Sequence, residues 1–459
     1  MQLRPYQDDA VQRLRASYAA SKRAPLFVLP TGGGKTVVFT YVAQNAVARG
    51  RSVCILVHRR ELLVQASRSL TGMGVRHGVI APGFNRTLDP VQIASVQTLA
   101  RRLGTVPQFD LLIVDEGHHA SAGTWLKIRD AFPRARLLGV TATPVRSDGQ
   151  GLDTVFDDIV IGPSMKELVA LGYLVPSVVY APPSVIDLSG VRKRGGDYDQ
   201  RDVSERIDKP TITGDVIGHY RKLAGGKPAI AFCASVAHAE HVAADFRAAG
   251  FKSRSVDGNT AAEERAQAIA ALGRGDLHVL TSCDIISEGT DVPAVAAAIL
   301  LRPTQSLGLY IQQVGRALRT APGKEKAIIL DHVGNVMRHG MPDQDREWTL
   351  EGIDRNSNNA ANDNVPSVKQ CEKCYAAFTP QPICPQCGHF QEVKARKVEL
   401  ADGELIEIDA ARVEAMQRER KQEISGARTI DALEDVARKR GYKPGWARYI
   451  MKSRAAKYG

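Results

Sequence analysis

The chain has 459 residues, of which 44% are hydrophobic and 24% are charged, a composition that gives room for two or three globular domains. The longest purely apolar run, residues 294–301, is far shorter than the roughly 18 residues that a membrane span requires, and the first residues contain no apolar signal region. Both observations argue against a membrane protein and predict a cytosolic location. The formal net charge of +11 favours a polyanionic partner such as nucleic acid.

In the first part of the chain, short apolar segments alternate with segments of helical character. The apolar segments that have the length of buried strands are residues 26–29, 53–57, 91–94, 111–114 and 137–140. Helices are predicted between them at residues 35–49 and 60–70. This alternation predicts an α/β unit, residues 1–165, in which helices cover both faces of a parallel sheet.

The same alternation resumes after a polar stretch. Segments with strand character are residues 229–232, 279–281, 295–301 and 327–330, and segments with helical character are residues 236–249 and 263–272. We therefore predict a second α/β unit at residues 215–345, joined to the first by a connector or insertion at residues 166–214. A linker rich in Asn, Asp and Ser is predicted at residues 346–366.

A glycine-rich loop lies between the first predicted strand and the first predicted helix. Its residues are Thr31, Gly32, Gly33, Gly34, Lys35 and Thr36. Consecutive glycines let backbone N–H groups converge on phosphates, and the N-terminus of the following helix favours negative charge. Lys35 is expected to neutralise the β- and γ-phosphates of ATP, and the Thr36 hydroxyl to coordinate Mg²⁺. The general pattern has a glycine five positions before Gly34, where this chain has Leu29.

Two acidic residues, Asp115 and Glu116, follow the apolar run at residues 111–114. In an open parallel sheet, the carboxyl ends of the strands form the edge where ligands bind. Asp115 is expected to hold Mg²⁺, directly or through water, and Glu116 to orient and deprotonate the attacking water. Adjacent acids at a strand end are often merely solvated, so the catalytic interpretation depends on the phosphate loop that precedes them.

Arg316 and Arg319 lie on a helix predicted in the second unit, within the sequence Gln-Gln-Val-Gly-Arg-Ala-Leu-Arg at residues 312–319. An arginine supplied to the γ-phosphate stabilises charge in the transition state and raises the rate by about 10³–10⁵. If the two units face each other across ATP, hydrolysis becomes coupled to their closure. Taken alone, these arginines are equally compatible with salt bridges on a helix surface.

With these motifs, residues 1 to about 340 resemble the superfamily 2 helicases and translocases of the DExH type, which contain two RecA-like lobes. The other matching segments are Leu-Arg-Pro-Tyr-Gln at 3–7, His-Arg-Arg-Glu-Leu at 58–62, Ser-Val-Gln-Thr at 95–98, Thr-Ala-Thr-Pro at 141–144 and Ser-Glu-Gly-Thr-Asp-Val-Pro at 287–293. The resemblance implies that Gln7 reads adenine and that Gly289, Asp291 and Gln312 approach the nucleotide. It also accounts for Leu29, because this family commonly lacks the first glycine of the loop.

Two further features narrow the resemblance. His118 argues against the DEAD-box RNA helicases, which carry Asp at this position. The sequence Asp-His-Val-Gly-Asn at 331–335, together with a later cysteine cluster, resembles bacterial RadD-type DNA-repair ATPases, and type III restriction motor subunits share the core. DNA rather than RNA is therefore what the resemblance implies as the substrate.

The seven cysteines divide into three single residues and one cluster. The single residues, predicted to be core residues, are Cys54, Cys233 and Cys283, and the clustered residues are Cys371, Cys374, Cys384 and Cys387. Two Cys-x-x-Cys pairs in a reducing compartment indicate tetrahedral Zn²⁺ rather than disulfides. We predict a zinc ribbon at residues 367–395 whose four thiolates leave no open coordination position, so that the metal is structural.

Three aromatic residues accompany the cysteines, namely Tyr375, Phe378 and Phe390. They would either stack on bases, as aromatic residues do in single-strand binders, or form the small core of the ribbon, and we favour the core. The ribbon is also a candidate surface for a protein partner.

The tail, residues 396–459, ends in a basic stretch. From residue 438 onward it carries eight Lys or Arg residues and no acid, with Tyr442, Trp446, Tyr449 and Tyr458 interleaved. Positive charge combined with rings is typical of a nucleic-acid element. The alternative is a solvated helix that docks through Trp446 and Ile450.

Together these features predict a nucleic-acid-stimulated ATPase that uses ATP, Mg²⁺ and structural Zn²⁺. We expect a DNA helicase or translocase that acts in DNA repair, recombination or replication and contacts single-stranded, branched or duplex DNA mainly through its backbone. Two alternatives remain open. One is the motor component of a restriction or anti-phage complex with a separate nuclease, and the other is a non-motor binding protein switched by ATP.

Overall fold

The computed structural model describes most of the chain. The described residues are 2–119, 122–146, 150–182, 190–194, 197–199, 202–203, 216–283, 295–351, 368–390, 418, 422–427, 429–440, 445–448 and 450–451. Residues 1–393 form one compact unit, and residues 394–459 form a second.

The first lobe is built on a sheet of seven parallel strands. The strands are β1 (Pro25–Val28), β2 (Val53–Val57), β3 (His77–Ile80), β4 (Val91–Ser95), β5 (Leu111–Asp115), β6 (Arg136–Thr141) and β7 (Asp158–Ile161), in the spatial order β3-β4-β2-β5-β6-β1-β7. The central strands are continuous apolar runs because both of their faces are buried. All five strands predicted in this region are present, and β3 and β7 were not predicted.

Helices cover both faces of this sheet, as the alternation of the sequence predicts. They are α1 (Pro5–Ala19), α2 (Lys35–Val47), α3 (Arg60–Gly72), α4 (Val96–Arg102) and α5 (Ala122–Ala131). The next helix, α6 (Met165–Ala170), packs instead in the core of the second lobe through Met165 and Leu168. On one face, Phe27, Phe39 and Leu63 belong to a core formed with α1, α2 and α3. On the other face, Leu26 and Trp125 belong to a core formed with α4 and α5.

The second lobe contains a sheet of eight strands, six of them parallel. Its strands are β8 (Ser177–Tyr180), β11 (Ala229–Phe232), β12 (Ser253–Val256), β13 (Val279–Ser282), β14 (Ala297–Leu300), β15 (Ala327–Asp331), β16 (Lys369–Gln370) and β17 (Ala376–Phe378), in the order β12-β13-β11-β14-β15-β8-β17-β16. A separate hairpin of β9 (Lys193–Arg194) and β10 (Asp197–Tyr198) lies between β8 and β11 in the chain. The helices are α7 (Val236–Ala248), α8 (Ala262–Arg274), α9 (Leu307–Ala317) and α10 (Asn335–His339).

The zinc ribbon extends the second sheet. Strand β17 pairs antiparallel with β8, with Ala376 opposite Tyr180 and Ala377 opposite Val179. Strand β8 comes from residues 166–214, the segment interpreted from the sequence as a connector. Short β strands with alternating exposure give a weak sequence signal, and for this reason both β8 and its pairing were missed.

A segment after α10 returns from the second lobe to the first. Trp348 and Leu350 pack against the first-lobe core, and the Leu350 carbonyl accepts hydrogen bonds from the N–H groups of Leu152 (2.7 Å) and Asp153 (3.2 Å). The two lobes are therefore joined both by the segment between β7 and β8 and by this returning segment.

The C-terminal unit has a small apolar core of its own. Leu433 of helix α11 (Ile430–Arg440) is fully buried, and Trp446 and Ile450 pack against it. Trp446 thus packs against a core, as the alternative of a docked helix predicts. Tyr442, Tyr449 and Tyr458 lie outside the described residues. Among the helices in the described part of the chain, none combines the length and the hydropathy needed to cross a bilayer.

Candidate ATP site and zinc centre

The glycine-rich loop connects β1 to α2 as predicted, and its glycines have conformations that favour glycine. Gly32 has φ 88° and Gly34, the residue that precedes α2, has φ 90°. Both angles lie in the left-handed region, where a side chain causes strain. A Cβ on Gly33 would lie 2.8 Å from Cγ of Leu29, so Leu29 packs under the loop. Thr31 precedes the three glycines, and Thr36 lies in the first turn of α2. The backbone N–H groups at this helix N-terminus suit a phosphate.

The N-terminal segment is held against this loop. The Tyr6 hydroxyl donates a hydrogen bond to the Gly33 carbonyl (2.7 Å), and Gln7 Nε2 donates to the same oxygen (3.2 Å). The Tyr6 ring contacts the ring of Tyr173 edge-on, and the guanidinium of Arg4 lies 4.3 Å from the centre of the Tyr173 ring. Gln7, the predicted adenine reader, therefore lies beside the phosphate loop together with Arg4 and Tyr6 of the same predicted segment, and the sequence analysis missed only their contact with Tyr173.

Asp115 and Glu116 lie at the carboxyl end of β5, where both are 7% exposed. Glu116 has a positive φ of 52°, a strained conformation for a residue with a side chain, and such strain concentrates at functional sites. His118 Nδ1 lies 3.4 Å from Glu116 Oε2 and 2.9 Å from Thr141 Oγ1. The Thr141 hydroxyl in turn donates to the Thr143 carbonyl (2.9 Å), which links the acidic motif to the Thr-Ala-Thr-Pro segment.

Helix α9 of the second lobe lies directly against the first lobe. A Cβ on Gly308 would come within 2.9 Å of Thr143 Oγ1, and a Cβ on Gly315 would come within 2.6 Å of Thr31 Cβ. Gln312 lies between these glycines on the same helical face, since residues three and four apart are neighbours on a helix. The two glycines allow α9 to approach the phosphate loop closely.

The two predicted arginines lie at the C-terminal end of α9 and just beyond it. Arg316 is 7% exposed. Arg319 has its side-chain Cγ 3.4 Å from where a Cβ on Gly32 would stand, and burial lowers the pKa of its guanidinium to about 10. The alternative of arginines on a solvated helix surface does not fit this burial.

The other four predicted catalytic residues all influence the pKa of Lys35. Burial lowers the pKa of Lys35, the carboxylates of Glu116 and Asp115 oppose that effect, and the guanidinium groups of Arg316 and Arg319 add to it. Charges interact more strongly in a protein interior than in water. Residues that are separated by almost 300 positions in the sequence therefore influence one ammonium group.

Several buried polar atoms at this cleft make no hydrogen bond, which fits a polar ligand. In the described part of the chain, the buried atoms that make no hydrogen bond include Glu116 Oε2, Thr143 Oγ1 and Gln312 Nε2. Buried polar groups are rarely left unsatisfied, and exceptions call for water, an ion or a ligand. The phosphate loop, the acids and the arginines are a donor set suited to a nucleoside triphosphate with Mg²⁺. Gly289 and Asp291, the other predicted nucleotide contacts, lie outside the described residues.

The four clustered cysteines converge as a metal site requires. The sulfur atoms of Cys371, Cys374, Cys384 and Cys387 all lie within 4.8 Å of one another. Cys371 Sγ is 3.6 Å from Cys387 Sγ, and Cys374 Sγ is 3.7 Å from Cys384 Sγ. A tetrahedron with Zn–S bonds of about 2.3 Å has sulfur atoms about 3.8 Å apart, so the donor set fits Zn²⁺.

Each cysteine pair forms the same turn. The N–H of Tyr375 donates to the Cys371 carbonyl, and the N–H of Gly388 donates to the Cys384 carbonyl, both at 2.9 Å. The φ angles of Tyr375 and Gly388 are 62° and 69°, so the residue after each pair is left-handed. The expectation of a tight turn at Gly388 is thereby confirmed.

The zinc centre is attached to the second lobe through Tyr180 of β8, whose ring packs against the ribbon core. Burial raises the pKa of Tyr180, and the nearby thiols of Cys374 and Cys384 add to this effect. Of the three ribbon aromatics, Phe378 is buried and is a core residue, as favoured. Tyr375 and Phe390 are 53% and 63% exposed, so the core interpretation does not hold for them.

Two parallel-sheet lobes that enclose a phosphate loop, a pair of acids and arginines define the class: this is a P-loop ATPase with two RecA-like lobes. Residues 1–146 match the family described as type III restriction enzyme, res subunit, and residues 209–321 match the helicase conserved C-terminal domain. The two matches correspond to the first lobe and to most of the second.

Similar proteins agree with this class. A 51.5 kDa protein of a Lactococcus phage (isolate 7-9) is 34% identical over 85% of this chain and 84% of its own length. The Saccharomyces cerevisiae protein named ATP-dependent helicase IRC3 is 30% identical over 72% of this chain, but only 51% of its own length is covered. A solved fragment named as an HsdR subunit of a type I restriction enzyme from Vibrio vulnificus YJ016 has a TM-score of 0.58 at 21% identity, over 74% of this chain and 65% of that fragment. The chain belongs to the superfamily 2 helicases of the DExH type, with a core like that of restriction-enzyme motors.

Proposed function

We propose that this chain is a DNA-stimulated ATPase that couples ATP hydrolysis to movement along DNA, or to its remodelling, in DNA repair, recombination or replication. The observation that carries the proposal is the packing of α9 and Arg319 against the phosphate loop, with Gly315 against Thr31 and Arg319 against Gly32. Of the five proposed catalytic side chains, Lys35, Asp115 and Glu116 come from the first lobe and Arg316 and Arg319 from the second, so the site is complete only when the lobes are together.

First-lobe residues would bind the nucleotide. Gln7 contacts the adenine from its position beside the loop, and Lys35 neutralises the β- and γ-phosphates as the backbone N–H groups of residues 32–36 surround them. The Thr36 hydroxyl and Asp115 would hold Mg²⁺, which when bound supplies positive charge to the phosphate oxygens. Glu116 orients a water molecule and takes its proton as the water oxygen bonds to the γ-phosphorus.

Second-lobe residues would complete the reaction. As the new oxygen–phosphorus bond forms, the bond from the γ-phosphorus to the bridging oxygen breaks, and ADP leaves with the negative charge. Arg316 and Arg319 stabilise the charge on the transferring group, and Gln312 supplies an unpartnered amide donor on the same face of α9.

A continuous set of contacts would couple hydrolysis to movement of the lobes. It runs from Glu116 through His118 and Thr141 to Thr143, against which Gly308 of α9 is packed. A change in the charge near Glu116 is therefore transmitted to the start of α9, the helix that positions both arginines. Packed interfaces of this kind change between discrete arrangements rather than deforming continuously.

DNA is proposed as the substrate on the basis of charge, exposed rings and family membership. Helicases of this family bind DNA or RNA, and the net charge of +11 suits the backbone of either. The exposed rings of Tyr375 and Phe390 provide stacking surfaces, and each stacked base contributes about 1–3 kcal/mol in single-strand binders. Because phosphate contacts dominate, binding should weaken strongly with salt and depend little on sequence.

The test is steady-state ATP hydrolysis without nucleic acid and with single-stranded DNA, forked duplex DNA or RNA, with Lys35→Ala as the blank. We expect strong stimulation by one DNA form and none in the blank. Equal rates under all conditions would overturn the proposal. Stimulation by RNA alone would retain the ATPase and overturn the choice of DNA.

A second candidate function is the motor component of a restriction or anti-phage complex. It is favoured by the match of residues 1–146 to the res-subunit family and by the similarity to the HsdR fragment. In that case the chain should hydrolyse ATP slowly alone and accelerate when a separate nuclease or methyltransferase subunit from the same source is added. Full DNA stimulation of the isolated chain would count against it.

A further inference from the structure

A second pocket lies on the first lobe, away from the ATP cleft. It has a volume of about 490 Å³ and opens between α1 and α2, above the starts of β5 and β6. Leu111 at the pocket and Asp115 at the cleft are the two ends of β5, which at about 3.3 Å per residue lie about 13 Å apart. The pocket is therefore at the opposite edge of the sheet from the nucleotide, and none of the proposed catalytic residues lines it.

The floor of this pocket is apolar. Val11 and Leu14 of α1 and Leu111 and Leu138 of the sheet line it, and all four are at least 92% buried. Val42 of α2 forms part of the wall. Ligand sites of a few hundred Å³ usually combine such an apolar lining with a small number of polar groups that fix orientation.

The rim of the pocket is strongly basic. Five exposed arginines from three segments of the chain surround the opening: Arg15, Arg49, Arg51, Arg134 and Arg136. The lining includes one carboxylate, that of Asp110, which lies 3.3 Å from Arg51 Nη1 and also accepts hydrogen bonds from Ser52. Among the ion pairs of the described residues, Arg15, Arg49, Arg134 and Arg136 have no acidic partner.

The remaining contacts of these arginines leave donors for a ligand. Arg15 reaches Gln12 Oε1 at 3.4 Å, and Arg49 donates to the Asn45 carbonyl at 3.2 Å. Each contact uses one nitrogen of a guanidinium that has five N–H donors. Arginine is suited to bidentate recognition of carboxylates, and a cluster of arginines with a single aspartate attracts acidic groups.

From this arrangement we propose that the pocket binds an acidic peptide segment of a partner protein, with an apolar side chain inserted on the floor and flanking carboxylates paired with the rim arginines. The floor of Val11, Leu14, Leu111 and Leu138 is aliphatic and favours an apolar side chain of a peptide, while the two rings of the lining are Tyr18 and Tyr41. The Tyr18 ring at the pocket is already covered by Arg136, whose guanidinium lies 5.0 Å from the ring centre. Since the site is separate from the ATP cleft, a partner could stay bound while the nucleotide is hydrolysed.

Fluorescence anisotropy with the full chain tests the proposal. The probe is a labelled peptide of Asp and Glu residues with a central Phe-Leu pair, and it is compared with the same peptide carrying Ser-Ser and with labelled oligothymidylate. Arg15→Glu and Arg134→Glu reverse charges at the rim, and Ala46→Trp fills the pocket without changing charge. Arg101→Glu is the control, because Arg101 is an exposed arginine of the same lobe outside the pocket.

We expect each rim variant to weaken binding of the Phe-Leu peptide by about tenfold or more. The Ser-Ser peptide should bind the wild type at least about tenfold more weakly than the Phe-Leu peptide does. The control variant Arg101→Glu should bind the Phe-Leu peptide like the wild type. Unchanged ATP hydrolysis in Arg15→Glu and Arg134→Glu establishes that these variants are folded, even if Ala46→Trp is not. Wild-type affinity in both rim variants would overturn the proposal, as would equal binding of the two peptides. Loss of oligothymidylate binding in the rim variants, without peptide binding by the wild type, would identify a nucleic-acid surface instead.

Discussion

The ATP site and the zinc centre of this protein are assembled in opposite ways. The four zinc ligands lie in one short segment, residues 371–387, and two similar turns bring them together. The ATP site takes residues from Gln7 to Arg319 and from two sheets, and its parts meet only because α9 lies against the phosphate loop. A site built from local turns keeps its geometry while the rest of the molecule moves, whereas a site shared between lobes is sensitive to every movement of the lobes. For a motor, the second arrangement is the one that links chemistry to motion.

The largest expected effect is a loss of ATP turnover that leaves zinc binding unchanged. Arg319→Ala should lower ATP turnover by about 10³, because it removes charge stabilisation from the transition state, while zinc content stays unchanged. Steady-state hydrolysis and a colorimetric zinc assay on the same preparation measure both. Arg274→Ala is the matched control, since Arg274 is an exposed arginine at the end of α8 and is not among the proposed site residues. A loss of less than tenfold in Arg319→Ala would contradict the proposed role.

The next effect concerns the zinc centre and its sheet edge. Cys384→Ser should abolish zinc binding and lower the apparent unfolding midpoint by about 5 °C, because a buried ligand is lost and β17 detaches from β8. Hydrogen exchange should show faster exchange of the β8 amides, whereas basal ATP hydrolysis is retained. Cys283→Ser, a cysteine outside the cluster, is the control. Retained zinc, or unchanged exchange in β8, would refute the link between ribbon and lobe.

A smaller effect tests the contact between the lobes. Gly315→Ala should lower ATP turnover on the order of tenfold, because its Cβ would stand 2.6 Å from Thr31 Cβ and displace α9. Alanine is the better helix former by about 1 kcal/mol, so stability should not fall in parallel. Gly218→Ala is the control, because no atom lies within 4 Å of where that Cβ would stand. Full activity in Gly315→Ala would mean that the close approach is not needed for hydrolysis.

The smallest effect is a pH dependence near Arg319. Burial, with the charge of Arg319 adding to it, lowers the pKa of Lys324 to about 8. The Lys324 ammonium donates to the carbonyls of Val295 (2.6 Å) and Arg319. The unfolded state keeps its proton up to the ordinary lysine range, so the contribution of this residue to stability rises as pH increases from about 8 to about 10.5.

Apparent unfolding midpoints of the wild type and Lys324→Met at pH 7.5 and pH 9.5 measure this effect. The difference between the two proteins should shift in favour of the wild type at the higher pH. A shift in the opposite direction would show that the charged form is the one stabilised in the folded protein. The wild type and Lys324→Met should bind zinc equally, because Lys324 is not one of the four cysteine ligands.

Much of this site could be predicted from the sequence, because its residue types and spacings are set by local chemistry. Gly32 and Gly34 of the loop have positive φ, the acids follow a buried strand, and the cysteine pairs form knuckles, so each pattern can be recognised over a few residues. The strands that carry these motifs are continuous apolar runs for the same reason. Strands β3, β7, β8 and β12 were missed because they are short and partly exposed, and their pairing depends on residues outside the strands themselves.

The sequence by itself determined the class of chemistry: a phosphate loop, a pair of acids, two arginines and a thiolate metal site, because each is encoded in contiguous residues. Only the tertiary structure decided that Gly308 and Gly315 face the first lobe, that His118 connects Glu116 to Thr141, and that the ribbon is a continuation of the second sheet. The arginine-rimmed pocket is likewise visible only in the tertiary structure, since its lining comes from four separate stretches of chain. Local rules fix turns and strand ends over a few residues, whereas contacts between distant segments depend on packing of the whole chain, which no short pattern records.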